Sequence, residues 1–495
     1  MYKQLTLEFA NNSEPSPQTI THPTGYSGWY RLHKYWGKKP HEPLALAIQQ
    51  LTQENDIILD PFVGSGIAAR ESRLRKRRFI GIDINPIATE LTKLLISPPD
   101  YPLIRNAFLS LEKTLKPQIN QTYQLKDGRI ASHYLWQNNQ LHQIWLSGNR
   151  STSRLELPPT PEDIQLIDTF STYKSKTIRP PKFFANSRIN ATPQLSLSDL
   201  ITGRAQHNLD LIIDRINQLP QAAQPAMKLC LTAASGQMTK MVFAVTGRGK
   251  TNGNPSKKTE VGSWVIGYWR PPLHFEVNVW NCFERRVTKL LNVIKNGDPL
   301  QGSTISETLD QFYQNNAECS IICAPCQQEL KNLPKKSINL IITDPPHSDR
   351  IPYLELSELW NSILGIEPNF DSEIVISNAK ERAKTATLYN QTMSAFLTDC
   401  SAILRDDGFL VLLYNARQQK HWAFIKQLID SSEPSSNLNY LGQFPCNYSA
   451  RSVVQDNRKG SLKHDVALVF GNPNADLNKI SRLKTIRGWS DTFPH

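Results

Sequence analysis

Seven short apolar runs constrain the fold of this 495-residue chain more than any other feature. Each run is rich in β-branched residues and is bounded by turn-forming residues, as buried strands are. Stretches of helical period separate the runs, and this alternation predicts an α/β fold. A long gap divides the first two runs from the other five. The predicted strands are Ile57–Asp60, Phe79–Asp83, Cys319–Cys323, Ile338–Asp344, Phe409–Tyr414, Leu438–Phe444 and Val466–Gly471.

The gap predicts one sheet built from two separated pieces of chain, with a large insert between them. The insert begins with an alternating polar and apolar pattern, SHYLWQNNQLHQIWL, that predicts an antiparallel hairpin, and continues with helical patterns. Predicted helices are His41–Gln53, Leu209–Leu219, Pro225–Val245, Val277–Ile294 and Leu388–Leu404. The predicted organisation is a flexible tail (1–25), a first half-domain (26–100), an insert (101–318) with a hairpin lobe (about 101–195) and a helical lobe (about 196–318), a second half-domain (319–475) and a tail (476–495).

Composition limits the cellular setting and the class of partner. The formal net charge is +12, which suits a polyanionic partner because each cation that neutralises a phosphate releases counterions. The seven cysteines all follow residue 229, a distribution typical of a reducing compartment rather than of a disulfide framework. The first residues lack the pattern of a secretory signal, and no apolar run approaches the length that a bilayer requires. We therefore expect a cytoplasmic protein without a membrane partner.

The first predicted strand ends in the glycine-rich turn Asp60-Pro-Phe-Val-Gly-Ser-Gly66, which opens into a helical stretch. Glycines at such a turn let the backbone approach a ligand closely, and the N–H groups at the helix start favour a polar or negative group. Asp83 ends the next strand, about 20 residues further on, where an acidic residue binds a ribose diol in nucleotide-binding sheets. This pair predicts a cofactor of nucleoside type.

A second motif, Thr343-Asp-Pro-Pro-His347, follows a later apolar strand. Two prolines fix the backbone and supply no N–H, so the corner is stiff and leaves a carbonyl available beside one carboxylate. These two acceptors can hold a single NH2 group and orient its nitrogen lone pair. Because ligands bind beyond the carboxyl ends of the strands in open α/β sheets, we expect Asp60, Asp83 and Asp344 to face one crevice.

These residues resemble a known family. DPFVGSG with GIDINP is similar to the S-adenosylmethionine site of bacterial DNA amino-methyltransferases, and TDPPH resembles their D-P-P-aromatic catalytic motif. The resemblance extends to HKYWGKKP (33–40), to DRIPYLELSELW after the corner, to 260–284, and to VVQDNRKGSLKHDVALVF near the end, and so covers most of residues 26–475. It implies a Rossmann-like, seven-stranded class I methyltransferase sheet with an antiparallel terminal pair, and an insert that recognises the target.

The resemblance also implies a cofactor, S-adenosyl-L-methionine, and a role for each matching residue. Segment 33–40 would approach the methionine end of the cofactor, and Asp83 would bind the ribose hydroxyls. Asp344 and the Pro345 carbonyl would hold the target NH2, and His347 would stack on the base. No metal is expected. The implied cofactor-binding residues are Lys38, Asp60, Phe62, Gly64, Ser65, Gly66, Asp83 and Asn85, and the implied catalytic residues are Asp344, Pro345, Pro346 and His347.

Two departures from the family pattern affect the prediction. Position 347 is usually Tyr, Phe or Trp, and a histidine offers less π surface for stacking, so substrate preference and rate stay open. Relatives often carry a zinc ribbon near the predicted hairpin, but this chain has no cysteine before Cys230, so we expect a hairpin without metal. The basic stretch 248–258 predicts a loop between helices that contacts the nucleic-acid backbone. Its candidate contacts are Arg248, Lys250, Lys257 and Lys258.

The function implied is methyl transfer to the exocyclic amine of a base flipped out of double-stranded DNA. Adenine N6 is preferred because the cofactor motif precedes the catalytic motif, an order associated with adenine in this family. A cytosine N4 DNA methyltransferase, an RNA amino-methyltransferase and a catalytically weak DNA-binding homologue stay open as alternatives. The resemblance further implies a nucleoid-associated protein, with partner proteins of restriction-modification or phage-defence systems as an open expectation.

Overall fold

The architecture is mixed α/β. A computed structural model describes residues 26–147, 154–247, 250–251, 254–255, 258–297, 300, 302–415, 419–430, 438–447 and 464–493. The strands are β1 (Ile57–Asp60), β2 (Arg78–Asp83), β3 (His133–Gln137), β4 (Gln140–Leu146), β5 (Leu155–Leu157), β6 (Ala244–Val245), β7 (Lys250–Thr251), β8 (Asn254–Pro255), β9 (Glu260–Val261), β10 (Leu273–Val277), β11 (Ile305–Ser306), β12 (Cys319–Cys323), β13 (Ile338–Thr343), β14 (Leu404–Tyr414), β15 (Asn439–Asn447) and β16 (His464–Gly471).

The helices surround the large sheet and build most of the insert. Of those described, none has both the length and the apolar character required to cross a membrane. The helices are α1 (His41–Leu51), α2 (Ile67–Leu74), α3 (Pro86–Ile96), α4 (Tyr101–Gln121), α5 (Pro161–Asp168), α6 (Leu197–Leu200), α7 (Gly203–Ile216), α8 (Gln224–Ser235), α9 (Val279–Asn296), α10 (Leu309–Tyr313), α11 (Cys326–Glu329), α12 (Tyr353–Leu364), α13 (Ala386–Ile403), α14 (Ala423–Asp430) and α15 (Leu477–Leu483).

The large sheet has eight strands in the described part of the chain, in the order β11-β12-β2-β1-β13-β14-β16-β15. Neighbouring strands are parallel from β11 to β14, and β16 runs antiparallel to both β14 and β15. All seven predicted strands belong to this sheet, but the predicted count was wrong by one. The missed edge strand, Ile305–Ser306, has only two residues, which is too short for any periodic pattern.

The central strands are buried on both faces, which explains why they read as continuous apolar runs. One face packs against α1, α2 and α15, and the other packs mainly against α13 and α14. The carboxyl ends of β2, β1 and β13, which are adjacent, therefore open at the same edge of the sheet.

The insert contains a second, antiparallel sheet in the order β10-β3-β4-β5. The predicted hairpin is confirmed as β3–β4, and its turn residues Asn138 and Asn139 both have positive φ, as a type I′ turn requires. Strand β10 follows within the range assigned to the helical lobe, so the two lobes share a sheet. A single apolar cluster joins both lobes to α3 and α12 beside the large sheet.

The predicted helix Pro225–Val245 was too long. Helix α8 ends at Ser235, and Ala244–Val245 form a strand instead. Gly236 follows the helix and packs against the ring of Trp264, where a Cβ would come within 2.5 Å of a ring carbon. This close approach explains why the residue after the helix is a glycine.

Residues 476–493 are folded, which contradicts the tail predicted at 476–495 over its described part. Helix α15 packs on α1, and the apolar side chains of Ile480, Leu483 and Ile486 are buried in the core of one sheet face. Lys479 Nζ also donates to the carbonyl of Leu51, the last residue of α1, at 3.3 Å. The predicted tail at 1–25 lies outside the described residues.

Two leucines of α15 test this packing. Leu483 is fully buried, so Leu483→Ala should lower the free energy of unfolding by about 3 kcal/mol through lost transfer energy and a residual cavity. Leu477 is 65% exposed on the same helix, and Leu477→Ala should change it by less than about 0.5 kcal/mol. Urea denaturation of both variants measures the difference. Equal values would show that the helix does not pack as described.

Candidate active site

A cleft of about 900 Å³ lies at the carboxyl ends of β1, β2 and β13. The glycine-rich turn forms one part of its wall, and the Asp-Pro-Pro corner forms another. Segment 35–39 and residues 325–327 and 372–374 contribute to the rest of the lining. Two motifs that are more than 250 residues apart in sequence therefore face the same space, as the strand-end acids predicted.

Asp83 locks the glycine-rich turn in place. Its Oδ2 accepts the backbone N–H of Gly64, and its Oδ1 accepts that of Asn85, both at 2.8 Å. Burial raises the pKa of Asp83 to about 6, although both backbone donors favour the ionised form. Each carboxylate oxygen has a second lone pair, so the group retains capacity for further donors such as a diol.

Asp60 links the glycine-rich turn directly to the strand that ends in the Asp-Pro-Pro corner. Its Oδ1 accepts a hydrogen bond from Thr343 Oγ1 at 2.6 Å and another from the backbone N–H of Phe62 at 3.1 Å. Thr343 immediately precedes the Asp-Pro-Pro corner. Burial raises the pKa of Asp60 to about 7. The hydrogen bond fixes the relative position of the turn after β1 and the corner after β13.

Lys38 brings a half-buried ammonium to the cleft. Its Nζ donates to the carbonyls of Tyr30 and His33, at 2.8 and 2.7 Å. Burial, and secondarily the charge of Lys289, lowers the pKa of Lys38 to about 7. No described carboxylate forms an ion pair with this lysine. An ammonium held by two carbonyls retains one N–H for an anionic group, because it has three donors.

The Asp344 carboxylate is held by two donors on one oxygen. His347 Nε2 lies 2.7 Å from Asp344 Oδ1, and Lys39 Nζ lies 3.1 Å from the same atom. Among the described residues, no hydrogen bond reaches Oδ2. The Pro346 carbonyl accepts from Tyr389 OH at 2.6 Å, whereas the Pro345 carbonyl accepts from no described donor. The corner thus presents one carboxylate oxygen and one carbonyl that the described part of the chain does not use.

A chain of charged groups extends from Asp344 into the protein. Arg350 Nη1 lies 2.9 Å from His347 Nδ1, and arginine has only donors, so Nδ1 accepts and Nε2 carries the proton that points to Asp344. The ammonium of Lys39 also contacts Asp465, which is fully buried. Although burial opposes ionisation, the charge of Lys39 holds the pKa of Asp465 well below its usual range.

Asp344, His347 and Asp465 offer three ligand atoms within 4.8 Å of one another, an arrangement that could hold a metal ion. Lys39 Nζ, however, makes ion pairs with both carboxylates. The protein supplies its own cation at this point, so the cluster does not carry a metal proposal.

The cleft brings together most of the predicted site residues. Gly66 lies outside the lining and packs against Thr92, while Pro345 and His347 also lie outside it. His347 is buried, and its ring centroid lies 5.2 Å from that of Tyr414. Asn85 is buried, with its amide bonded to Ser357 and Asn361. The predicted residues in the lining are Lys38, Asp60, Phe62, Gly64, Ser65, Asp83, Asn85, Asp344 and Pro346.

The two predicted nucleic-acid contacts that the structure describes, Lys250 and Lys258, do not line the cleft. Arg248 and Lys257 fall outside the described residues. Lys250 belongs to β7, which pairs with β8, and Lys258 is exposed. This stretch runs from β6 to β9 rather than between helices, so that part of the prediction was wrong. The short strands have two residues each, which no periodicity reveals.

Sequence reasoning missed Lys39 and Asp465. Both lie inside segments whose resemblance to the family was noted, 33–40 and the stretch that ends at Phe470. The choice of Lys38 over its neighbour had no physical basis in the sequence, because adjacent lysines look alike until the fold buries one against a carboxylate. The lone acid of KHDVALVF, at the start of an apolar strand, was the available signal for Asp465.

The N-terminal part of the chain, which forms one side of the cleft, matches a known protein family. Residues 9–94 match the family described as DNA methylase. The matched range includes segment 33–40, the glycine-rich turn and Asp83. No curated protein matched the chain.

Gly66 offers a test of the turn that positions the cleft. It has φ +78°, and a Cβ there would lie 2.8 Å from Thr92 Cα and Oγ1, so Gly66→Ala should destabilise the protein by about 3 kcal/mol. Gly365 has φ +73° with no heavy atom near its Cβ position, so Gly365→Ala should cost only the backbone strain, about 1 kcal/mol. Denaturant titration compares the two, and equal losses would rule out the steric contact.

Proposed function

We propose that this protein is an S-adenosylmethionine-dependent DNA methyltransferase that methylates the exocyclic amine of a flipped base, with adenine N6 preferred over cytosine N4. The observation that carries the proposal is the single cleft lined by both the glycine-rich turn with Asp83 and the Asp-Pro-Pro corner. The match of residues 9–94 to the DNA methylase family supports the same conclusion. The preference for adenine rests on the order of the two motifs along the chain.

The residues of the cleft suit the proposed cofactor. The cleft lining combines apolar side chains with a few polar groups, among them Asp60, Asp83 and Lys38, as sites for small molecules and cofactors do. Gly64 has φ +53°, a conformation that favours glycine, and this turn brings the backbone to the wall of the cleft. Asp83 would accept the ribose hydroxyls, and Lys38 would bind the carboxylate of the methionine end. When bound, S-adenosylmethionine supplies an activated methyl group on a sulfonium.

The Asp-Pro-Pro corner would hold the target amine. An aryl NH2 group has two protons, which Asp344 Oδ2 and the Pro345 carbonyl would accept. These hydrogen bonds orient the nitrogen lone pair and stabilise the positive charge that grows on nitrogen during attack. The two donors on Asp344 Oδ1 hold the carboxylate in a fixed orientation before the substrate arrives. The amine also loses one proton when the new bond forms, for which this carboxylate is the acceptor.

The target atom of a duplex is reachable only after the base leaves the stack. Flipping costs a few kcal/mol, which contacts in the pocket must offset. The sequence-based expectation that His347 stacks on the base stays a proposal. We add that His347 acts chiefly through its hydrogen bond to Asp344, because both ring nitrogens already have partners.

Substitution of the corner carboxylate tests the activity. Asp344→Asn keeps the shape of the side chain and removes its charge, so methyl transfer to DNA should fall at least about 100-fold, while binding of S-adenosylmethionine should change less than about threefold. Asp349→Asn, two residues beyond His347 and 39% exposed, is the matched control and should keep full activity. Transfer of labelled methyl groups measures the rate, and calorimetry measures cofactor binding. Activity within threefold of wild type would exclude the proposed role.

The pH dependence of cofactor binding tests Lys38. Because the pKa of Lys38 is lowered to about 7, its ammonium is lost as the pH rises, and affinity for the cofactor carboxylate should fall by up to about tenfold per pH unit above pH 7. Asp83, with a pKa raised to about 6, must lose its proton to accept a diol fully, so affinity should rise as the pH increases through 6. Maximal affinity is expected between these values.

Two variants isolate the lysine. Lys38→Arg should keep its charge and bind with little decline above pH 7, whereas Lys38→Met should bind weakly with no decline of its own. The ratio of wild-type to Lys38→Met affinity removes the titration of the ligand itself. A ratio that stays constant from pH 6 to 9 would contradict the assignment of Lys38 to the carboxylate.

A further inference from the structure

A second, cationic groove lies on the insert beside the cleft. It has a volume of about 1,070 Å³ and runs along one face of α9, past the end of α8 and the edge formed by residues 261–263. Three cations of α9 line it, Arg285, Arg286 and Lys289. None of the described residues in its lining is acidic. The backbone of Arg31 adjoins the groove, because its carbonyl accepts a hydrogen bond from Lys289 Nζ.

The cations of this groove lack counter-ions in the described part of the chain. No described carboxylate forms an ion pair with Arg31, Arg285, Arg286 or Lys289. The opposite side of α9 behaves differently, because Glu284 pairs with Lys116 at 3.0 Å. The helix therefore separates a neutralised face from a face of concentrated positive charge. Like charges held together without acids destabilise a protein unless an anion offsets them.

The pKa values of Lys289 and Arg286 are lowered, as expected for buried cations held close together. Burial, and then the charges of Arg286 and Arg31, lowers the pKa of Lys289 to about 8. Burial also lowers the pKa of Arg286, and Arg285 and Arg31 act in the same direction. The charge of Lys289 reaches Lys38, which lines the cleft. The groove and the cleft are thus electrostatic neighbours, so an anion in one is felt in the other.

We infer that this groove binds the sugar-phosphate backbone of duplex DNA next to the flipped base, with Arg286 and Lys289 as phosphate contacts. The inference rests on the proposed function, since it assigns a place to the backbone of the same substrate. Several cations spread along a helix face match phosphates repeated along a strand better than they match one small anion. The surplus of positive charge over the whole chain favours the same polyanion.

The test is the salt dependence of binding to a short DNA duplex by the full-length protein. Each phosphate contact contributes about 0.9 to the slope of log affinity against log salt concentration, so the double variant Arg286→Gln/Lys289→Gln should lower the magnitude of that slope by about 1.8. The slope should fall by the same amount for duplexes of unrelated sequence, because phosphate contacts do not depend on base identity. Binding of S-adenosylmethionine at pH 6 should change less than about threefold.

Two further variants serve as controls. Lys295→Gln removes one positive charge, as each substitution of the double variant does, at an exposed position of the same helix outside the groove, and should leave the slope within about 0.3 of wild type. The variant Arg286→Lys/Lys289→Arg keeps both charges and should keep most of the slope. Denaturation midpoints of all variants check folding, and removal of clustered like charges should not lower them.

The outcomes separate the groove from the activity. A double variant whose slope equals that of Lys295→Gln overturns the inference, as does a loss seen with duplex RNA and not with duplex DNA. Methyl transfer by the wild-type protein is assayed in parallel. If the wild-type protein is active but the double variant has an unchanged slope, the inference about the groove is wrong and the proposed function stands. If the double variant has a reduced slope but the wild-type protein is inactive, the proposed function is wrong and the groove still binds DNA.

Discussion

The ammonium of Lys39 holds together three segments that are far apart in the chain. It contacts Asp344 at the catalytic-type corner and Asp465 on β16, and its side chain is only 6% exposed. Removing one partner from such a buried ion pair typically costs about 3–5 kcal/mol, since the other charge is left uncompensated. Displacing one of the three segments would therefore separate the ion pair and destabilise the folded protein strongly. The lysine thus ties the first half of the interrupted sheet to the corner and to β16 in the second half.

This arrangement also gives a reason for histidine at position 347. The ring accepts from Arg350 and donates to Asp344, so it connects the guanidinium to the carboxylate and fixes the orientation of the carboxylate. A phenylalanine could do neither, and a tyrosine has its one polar atom at the far end of a longer side chain. His347 and Lys39 together use Oδ1 of Asp344 and leave its second oxygen to a substrate.

The sequence predicted what depends on local pattern and missed what depends on assembly. Apolar runs revealed seven strands, and Asp60, Asp83 and Asp344 marked one edge because parallel strands share their direction. Ile305–Ser306 was too short to leave a pattern. The last helix was judged by its polar composition, although Ile480, Leu483 and Ile486 recur at helical spacing. Ion pairing is invisible in sequence, so neither the role of Lys39 nor the unneutralised face of α9 could be foreseen.

Helix α12 connects the catalytic-type corner to the insert. It begins six residues after His347, and its buried side chains anchor the insert through hydrogen bonds, from Asn186 to Glu355 and from Arg179 to Glu358, each at 2.8 Å. Trp36, from the segment that lines the cleft, stacks on Trp360 of the same helix with ring centroids 4.6 Å apart. The insert is thus fixed in register with the corner. A backbone bound along α9 would lie at a set distance from Asp344, so geometry alone would select which base can reach the carboxylate.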